Sequence, residues 1–230
     1  MMERIFGIVA VALLLTVHSV AAVAASSDQE AKMTEVLDVL RDLQAIPEES
    51  IPPALLRNAG AVAVIPNVVK VGLVIGGRYG KGVISVRKAD GGWSDPLFLS
   101  VTGGSVGWQI GAQSTDVVLV FKSRKSIDSL VRGKFTLGAD AAIAAGPLGR
   151  KASAATDTQL NSEIYSYSRT RGLFVGIALD GASLAIEHGD NARYYQAPEI
   201  TAEQIIDSTA GKAPASATWL RDMLSKQTTN

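Results

Sequence analysis

Gly103-Gly104-Ser105-Val106-Gly107 has the G-x-S-x-G spacing of a nucleophile elbow, where a sharp strand-to-helix turn presents a serine hydroxyl for acyl transfer. Asp140 and His188 follow in the chain order used by α/β-hydrolases, so a hydrolase with Ser105 as nucleophile is the sharpest enzymatic reading. Its context argues against it. An elbow needs a helix after the serine, whereas Trp108-Gln109-Ile110-Gly111 leads towards another β-like run, and the strand–helix alternation of that fold is missing. A glycine-rich β-turn is the simpler reading. Metal binding fares no better: Glu187-His188-Gly189-Asp190 reads as a polar loop at the end of a hairpin, and a metal site draws ligands from several elements. There is no P-loop and no G-x-G-x-x-G. The chain is therefore expected not to be an enzyme, with no catalytic residue, metal or cofactor.

Basic residues offer a different chemistry. They gather as Lys122, Arg124 and Lys125, as Arg150 and Lys151 after Gly146-Pro147-Leu148-Gly149, and as Arg169 and Arg171 before Gly172. Each group reads either as a solvated loop or as an anion site, where fixed cations and backbone N–H groups meet a phosphate head group. Arg150, Lys151, Arg169, Arg171 and Lys134 are the expected lipid-contacting residues. Gly146 to Lys151 leads them, because its glycines would let a head group reach the backbone.

The elements that must position these residues are written around glycine. It recurs every fourth residue as Gly72, Gly76 and Gly80, and again as Gly103, Gly107 and Gly111. On a helix this spacing marks a transmembrane packing face; on a strand it also keeps one face. Arg78, Lys81, Gln109 and Asp116 interrupt the stretches well short of a membrane span, which favours strands. Short β-like runs cover Ala61–Ile65, Val71–Ile75, Val83–Arg87, Leu97–Val101, Val106–Ile110, Val117–Phe121 and Ile164–Ser168. Asp90-Gly91 and Asp180-Gly181 are hairpin turn signals, the second joining Leu173–Leu179 to Ala182–Glu187. Helices are expected from the Ser27–Glu30 capping box to Pro47, over Ser50–Asn58, over Ser126–Arg132 with Gly133 as stop, over Thr201–Ser208, and over Ala217–Lys226. The fold class this predicts is α+β: a Gly-rich, strongly curved antiparallel sheet or barrel-like core with helices at both ends.

Composition bounds the rest. The 230 residues are 47% hydrophobic and 19% charged, with net charge +0 and no cysteine. That suits a packed domain held together without disulfides, and argues against nucleic acid as a partner. Ile5 to Val17 is an uncharged apolar run followed by Ala21-Ala22-Val23-Ala24-Ala25, the layout of a signal peptide cleaved after Ala24 or Ala25. The rival is an uncleaved anchor over Ile5 to Ala25. The expected organisation is a signal peptide over 1–25, helices over 26–60, a β-rich core over 61–196 and helices over 197–230, in an exported protein that is periplasmic or secreted.

Several motifs in one order carry a family likeness. They are Ile51-Pro52 with Leu55-Leu56, Ala63-Val64-Ile65-Pro66 with Lys70, Gly76-Gly77 to Gly82-Val83, Trp93-Ser94-Asp95-Pro96, and Gly103 to Gly107 with Gln109-Ile110-Gly111. Asp116 to Val120, Leu137-Gly138, Gly146 to Arg150, Tyr167-Ser168 and Arg171 to Phe174 complete the set. From about Met33 to Tyr195 the chain resembles the SYLF-domain family of lipid-binding proteins, which includes eukaryotic adaptors that contact phosphoinositides and actin. The resemblance implies phospholipid or a membrane surface as partner and, in eukaryotic members, a lysine-rich amphipathic N-terminal helix. Here that helix carries Asp28, Glu30, Glu35, Asp38 and Asp42 against Lys32 and Arg41, so its attraction to anionic lipid is weak or reversed. Actin is not expected as a partner, for want of an accompanying SH3 or FYVE domain.

Overall fold

The computed structural model describes residues 27–43, 51–72, 75–106, 111–147, 162–170, 173–177, 179–207 and 213–229. The expected signal peptide lies outside them, as do Arg150, Lys151 and Arg171. Among the described residues six helices accompany one nine-stranded sheet. The helices are α1 (27–43), α2 (Pro53–Arg57), α3 (Lys125–Val131), α4 (His188–Tyr194), α5 (Ala202–Asp207) and α6 (Ala215–Thr229). The strands are β1 (Ala61–Gly72), β2 (Ile75–Val86), β3 (Leu97–Val106), β4 (Gly111–Phe121), β5 (Phe135–Thr136), β6 (Ile143–Ala145), β7 (Ile164–Thr170), β8 (Leu173–Gly176) and β9 (Ser183–Ile186).

Strand order is β5-β9-β3-β2-β1-β4-β7-β6, with β8 on β7; every pairing is antiparallel except β6 with β7. The sheet is mixed α+β in setting and strongly curved, as expected. Phe135 of β5 and Ile164 of β7, from opposite ends of the strand order, belong to one buried cluster. That cluster fills the inner face with Ala61, Ala63 and Ile65 of β1, Leu97 and Leu99 of β3, and Ile127, Leu130, Ile205 and Ile206 of α3 and α5. The alternate residues Val62, Val64, Phe98, Val118 and Val120 form the outer face. It is covered by Met33, Val36 and Leu40 of α1, Leu55 and Leu56 of α2, and Leu220 and Leu224 of α6. A sheet buried on both faces requires near-continuous apolar runs, which is what Ala61–Ile65 and Val117–Phe121 supply.

Local signals hold in detail. Thr201 and Gln204 exchange reciprocal bonds at the start of α5, a capping box (2.9 and 3.2 Å). Gly91 turns at φ +83° between Arg87 and Trp93. Two expectations are corrected. The four central strands are roughly twice as long as their apolar runs, because glycine-rich stretches continue them. The Asp180-Gly181 hairpin is not formed: Gly181 turns at φ +76° and Ala182 N–H reaches Leu179 O (3.1 Å), but β8 pairs with β7 while β9 pairs with β3 and β5. The turn chemistry is local, whereas strand partners follow from packing; Ala182 is buried against Gly103 of β3.

Candidate functional site

Each central strand has two unlike ends, and a bulge in β1 divides them. Register slips between Ile65 and Val68 against β4, and between Val64 and Val69 against β2. Pro66 has no N–H to give a ladder, and Asn67 sits at φ +53°, both suited to a bulge. Asn67 N–H is held by Asp116 Oδ1 at 3.0 Å, and Ser114 Oγ donates to Asn67 Oδ1 at 3.3 Å. Opposite the bulge β2 carries Gly80 and Gly82. A Cβ on Gly82 would run into the Val64 carbonyl, and one on Gly80 would press on Val68 (2.8 Å). These glycines admit the bent backbone of β1.

Beyond the bulge all four strands run out to a distal end. On its inner face Lys70 of β1 stands directly opposite Arg78 of β2, which stands opposite Gly103 of β3. Lys70 and Arg78 are half-buried. The Arg78 stem lies over Gly103, its Cγ 3.6 Å from where a Cβ would be, and its buried Nε has no hydrogen-bond partner. Burial draws the Arg78 pKa below its ordinary value. One row further out, Gly111, Gly72 and Gly76 are register partners across β4, β1 and β2, with Ser105 of β3 opposite Gly76. On the outer face Val69 and Tyr79 are register partners exposed to 41% and 49%, flanked by Ser114 and Thr102. Gly77 and Gly104 pair in the next row with open space above both. Among the described residues of β1 to β4, no charged residue interrupts this part of the outer face from Val69 outward.

The residues expected to contact lipid are placed differently. Arg169, on β7, is held by Asp42 of α1 (2.6 Å) and Asp116 of β4 (3.6 Å), so it braces α1 against the sheet. Lys134 is exposed between α3 and β5, at the far end of the strand order from β7. Arg150, Lys151 and Arg171 lie outside the described residues. Gly146, read as an opening for a head group, is a packing glycine: a Cβ would overlap the Tyr167 ring, whose hydroxyl donates to Pro147 O (3.1 Å). Of the other basic loop, Arg124 faces Asp128 and Asp207.

The enzymatic and metal readings meet the backbone directly. Ser105 lies inside β3, opposite Gly76, with no turn at the serine. Asp140 Oδ2 accepts from Thr136 N–H, and exposed His188 opens α4 instead of lying in a loop. Among the described residues no group of three His, Cys, Asp or Glu could hold a metal.

Other family-like motifs prove to be structural. Arg87 lies 4.1 Å over the Trp93 ring and donates to the α2 carbonyls of Leu56 and Arg57 (3.1 and 3.3 Å). Ser94 Oγ accepts from Val86 N–H, and buried Asp95 pairs with Arg221 of α6. Burial raises the Asp95 pKa, partly offset by that arginine. At the border of the two ends Lys81 bonds Asp190 (2.8 Å) and Glu187 (3.3 Å). Asp190 also accepts from Gln29 of α1 (3.1 Å) and from Arg193. Burial alone would raise the Asp190 carboxyl, but bonds from Lys81 and Arg193 outweigh it and hold it below the usual value.

Sequence reasoning missed Lys70 and Arg78. They are isolated cations in glycine-rich strands, and only the register after the bulge sets them side by side.

With that geometry in place, the chain belongs to the Ysc84 family, described as "Las17-binding protein actin regulator", whose model matches residues 102–227. This is the SYLF family that its motifs resemble. It is 37% identical over 197 residues to an SH3 domain-containing protein of Schizosaccharomyces pombe, covering 84% of this chain and 45% of that protein. It is 33% identical to Protein YSC84 of Saccharomyces cerevisiae over 182 residues, 78% of this chain and 38% of that protein. To the SH3 domain-containing YSC84-like protein 1 of Xenopus laevis it is 31% identical over 161 residues, 70% and 48%. The chain thus spans less than half the length of these three relatives. The family description names binding to Las17 and regulation of actin, and no reaction.

Proposed function

We propose that this chain is an exported, non-catalytic domain that binds phospholipid at a membrane surface through the distal end of its central strands. The observation that carries the reading is the uncovered outer face there, with Val69 and Tyr79 beside open glycines and no charge. An exposed valine and tyrosine with no charge beside them among the described strand residues suit the interfacial layer of a bilayer, where a tyrosine can bury its ring and keep its hydroxyl wet. The α1 helix does not serve this purpose, because Met33, Val36, Leu37 and Leu40 are already buried in the core. Export rests on the apolar run and alanines of residues 5–25.

Flotation of the mature protein with phosphatidylcholine vesicles, alone and with added phosphatidylglycerol, tests the lipid reading. Binding to at least one composition is expected; binding to neither sinks it. Arg150→Glu with Lys151→Glu should weaken binding if that segment also contacts head groups. Sequencing the N-terminus of protein from fractionated cells should find a start at Ala25 or Ser26; a retained Met1 in the membrane fraction would replace export with anchoring.

Two other readings use the same face. A structural or assembly protein of the envelope would bury it against another protein, but the cations on the inner side of that end favour lipid. A protein partner of the kind named in the family description, Las17, is the other. Pull-down with vesicle competition separates both from the lipid reading.

A further inference from the structure

We infer that Lys70 and Arg78 form a phosphate-binding subsite on the inner face of the distal end. The inference deepens the membrane-surface reading and rests on it for the source of the phosphate, a lipid head group as against the free anion. Like charges directly opposite on neighbouring strands destabilise a sheet, and a half-buried cation without a partner adds a desolvation cost. Elsewhere the described strands and half-buried cations avoid both. Every other half-buried lysine or arginine among the described residues has a partner: Lys32 has Glu35, Lys81 has Glu187 and Asp190, Lys88 has Asp90, Arg169 has Asp42 and Asp116, and Arg221 has Asp95. Arg87 has the carbonyls of α2 and the Trp93 ring. Lys70 and Arg78 are the exceptions, and they are adjacent.

The chemistry of the pair selects the ligand. Arg78 brings a planar fork with an unused Nε–H donor, and Lys70 brings a point charge across the strand. That combination matches a tetrahedral oxyanion, with guanidinium bridging two oxygens and ammonium taking a third. The next row outward on β4, β1 and β2 is Gly111, Gly72 and Gly76, which add no side chain beside the pair on those strands. A carboxylate side chain would neutralise one cation; a phosphate neutralises both.

The test titrates the full-length mature protein with inorganic phosphate while following the Arg78 Nε–H resonance. The variants are Lys70→Gln with Arg78→Gln, Arg78→Lys alone, and a control, Lys125→Gln with Arg132→Gln, that loses the same charge at an exposed helix. Phosphate should shift the Arg78 resonance in the wild type and the control. Affinity read from the remaining backbone amides should fall about tenfold or more in the double variant, as loss of charged hydrogen bonds implies. Arg78→Lys should retain intermediate affinity, and it stands in if the double variant fails to fold. Equal affinity in all proteins, or the same loss in the control, overturns the inference. Vesicles then separate the two claims. A wild type that binds phosphate at Arg78 but floats with neither composition leaves the subsite standing, for free phosphate, and removes the membrane reading. A double variant that keeps the wild-type preference for phosphatidylglycerol over phosphatidylcholine alone removes the subsite and leaves the membrane reading.

Discussion

The proximal and distal ends of β1 to β4 are made of the same four strands and do opposite things. At the proximal end Ala61–Ile65, Leu97–Leu99 and Val117–Phe121 are buried on both faces, and their registers with β2, β3 and β7 are regular. At the distal end glycine, serine and threonine are frequent, and among the side chains described there Val69 and Tyr79 are exposed while Lys70 and Arg78 carry unpaired charge. Stability is concentrated in one half of each strand and the surface available for binding in the other. The bulge at Pro66-Asn67 separates them, shifting the register of β1 against both neighbours while the ladder resumes beyond it.

The comparison breaks if truncation costs the same at both ends. Phe121→Ala, in the proximal inner cluster, should destabilise by about 3–5 kcal/mol. Tyr79→Ala at the distal end should stay within about 0.5 kcal/mol of wild type. Urea unfolding of the two variants measures both. A loss at Tyr79 approaching that at Phe121 would mean that the distal end is core.

The glycines sharpen it further, because the same residue type is used for opposite reasons. Gly82→Ala puts a methyl group into the Val64 carbonyl and should cost about 1–3 kcal/mol. Gly104→Ala meets open space and should instead stabilise by up to about 1 kcal/mol, by removing chain entropy from a strand. Melting temperatures moving in the same direction would refute the division. For the surface itself, Val69→Ser with Tyr79→Ser should lower vesicle binding about tenfold, the loss expected on withdrawing part of two apolar side chains from the interface. Unchanged flotation would move the contact elsewhere.

How much of this the sequence showed follows the same division. Periodicity and capping located α3, α5 and the apolar halves of β1, β3 and β4, because local chemistry decides those: Thr201 and Gln204 cap each other whatever surrounds them. Glycine spacing indicated curvature and the SYLF likeness. What it could not indicate was which glycine is crowded. Gly80 and Gly82 answer to a bulge on another strand, Gly146 to the ring of Tyr167, and Gly104 to nothing. The candidate site failed to show for the same reason. Arg169 in sequence stands beside Arg171 and Gly172, a basic loop; in space its neighbours are Asp42 and Asp116, 127 and 53 residues earlier in the chain. Lys70 and Arg78 look unremarkable until register places them face to face.

The smallest effect concerns the border between the ends, where Lys81, Asp190, Glu187 and Arg193 tie α4 and, through Gln29, α1 to β2. Asp190 holds its proton less tightly folded than unfolded, so its contribution is complete above pH 3.8 and is lost as pH falls through its lower folded value. Asp95 runs the other way: burial raises it, so its charge weighs against folding at neutral pH and is relieved as pH falls through the raised value towards 3.8. Lys81 is raised, chiefly by its bond to Asp190, and matters only as pH climbs above 10.5. Two acids at the rim of one core thus predict a shallow acid profile with a late collapse. Asp190→Asn should be less stable than wild type near neutrality, with the gap closing below pH 3.8, while Asp95→Asn should remove the gain seen above it. Urea midpoints from neutral to about pH 2 resolve the two windows. A gap for Asp190→Asn that stays constant across that range would show that α1 and α4 are held by packing alone, and that the border carries no electrostatic latch.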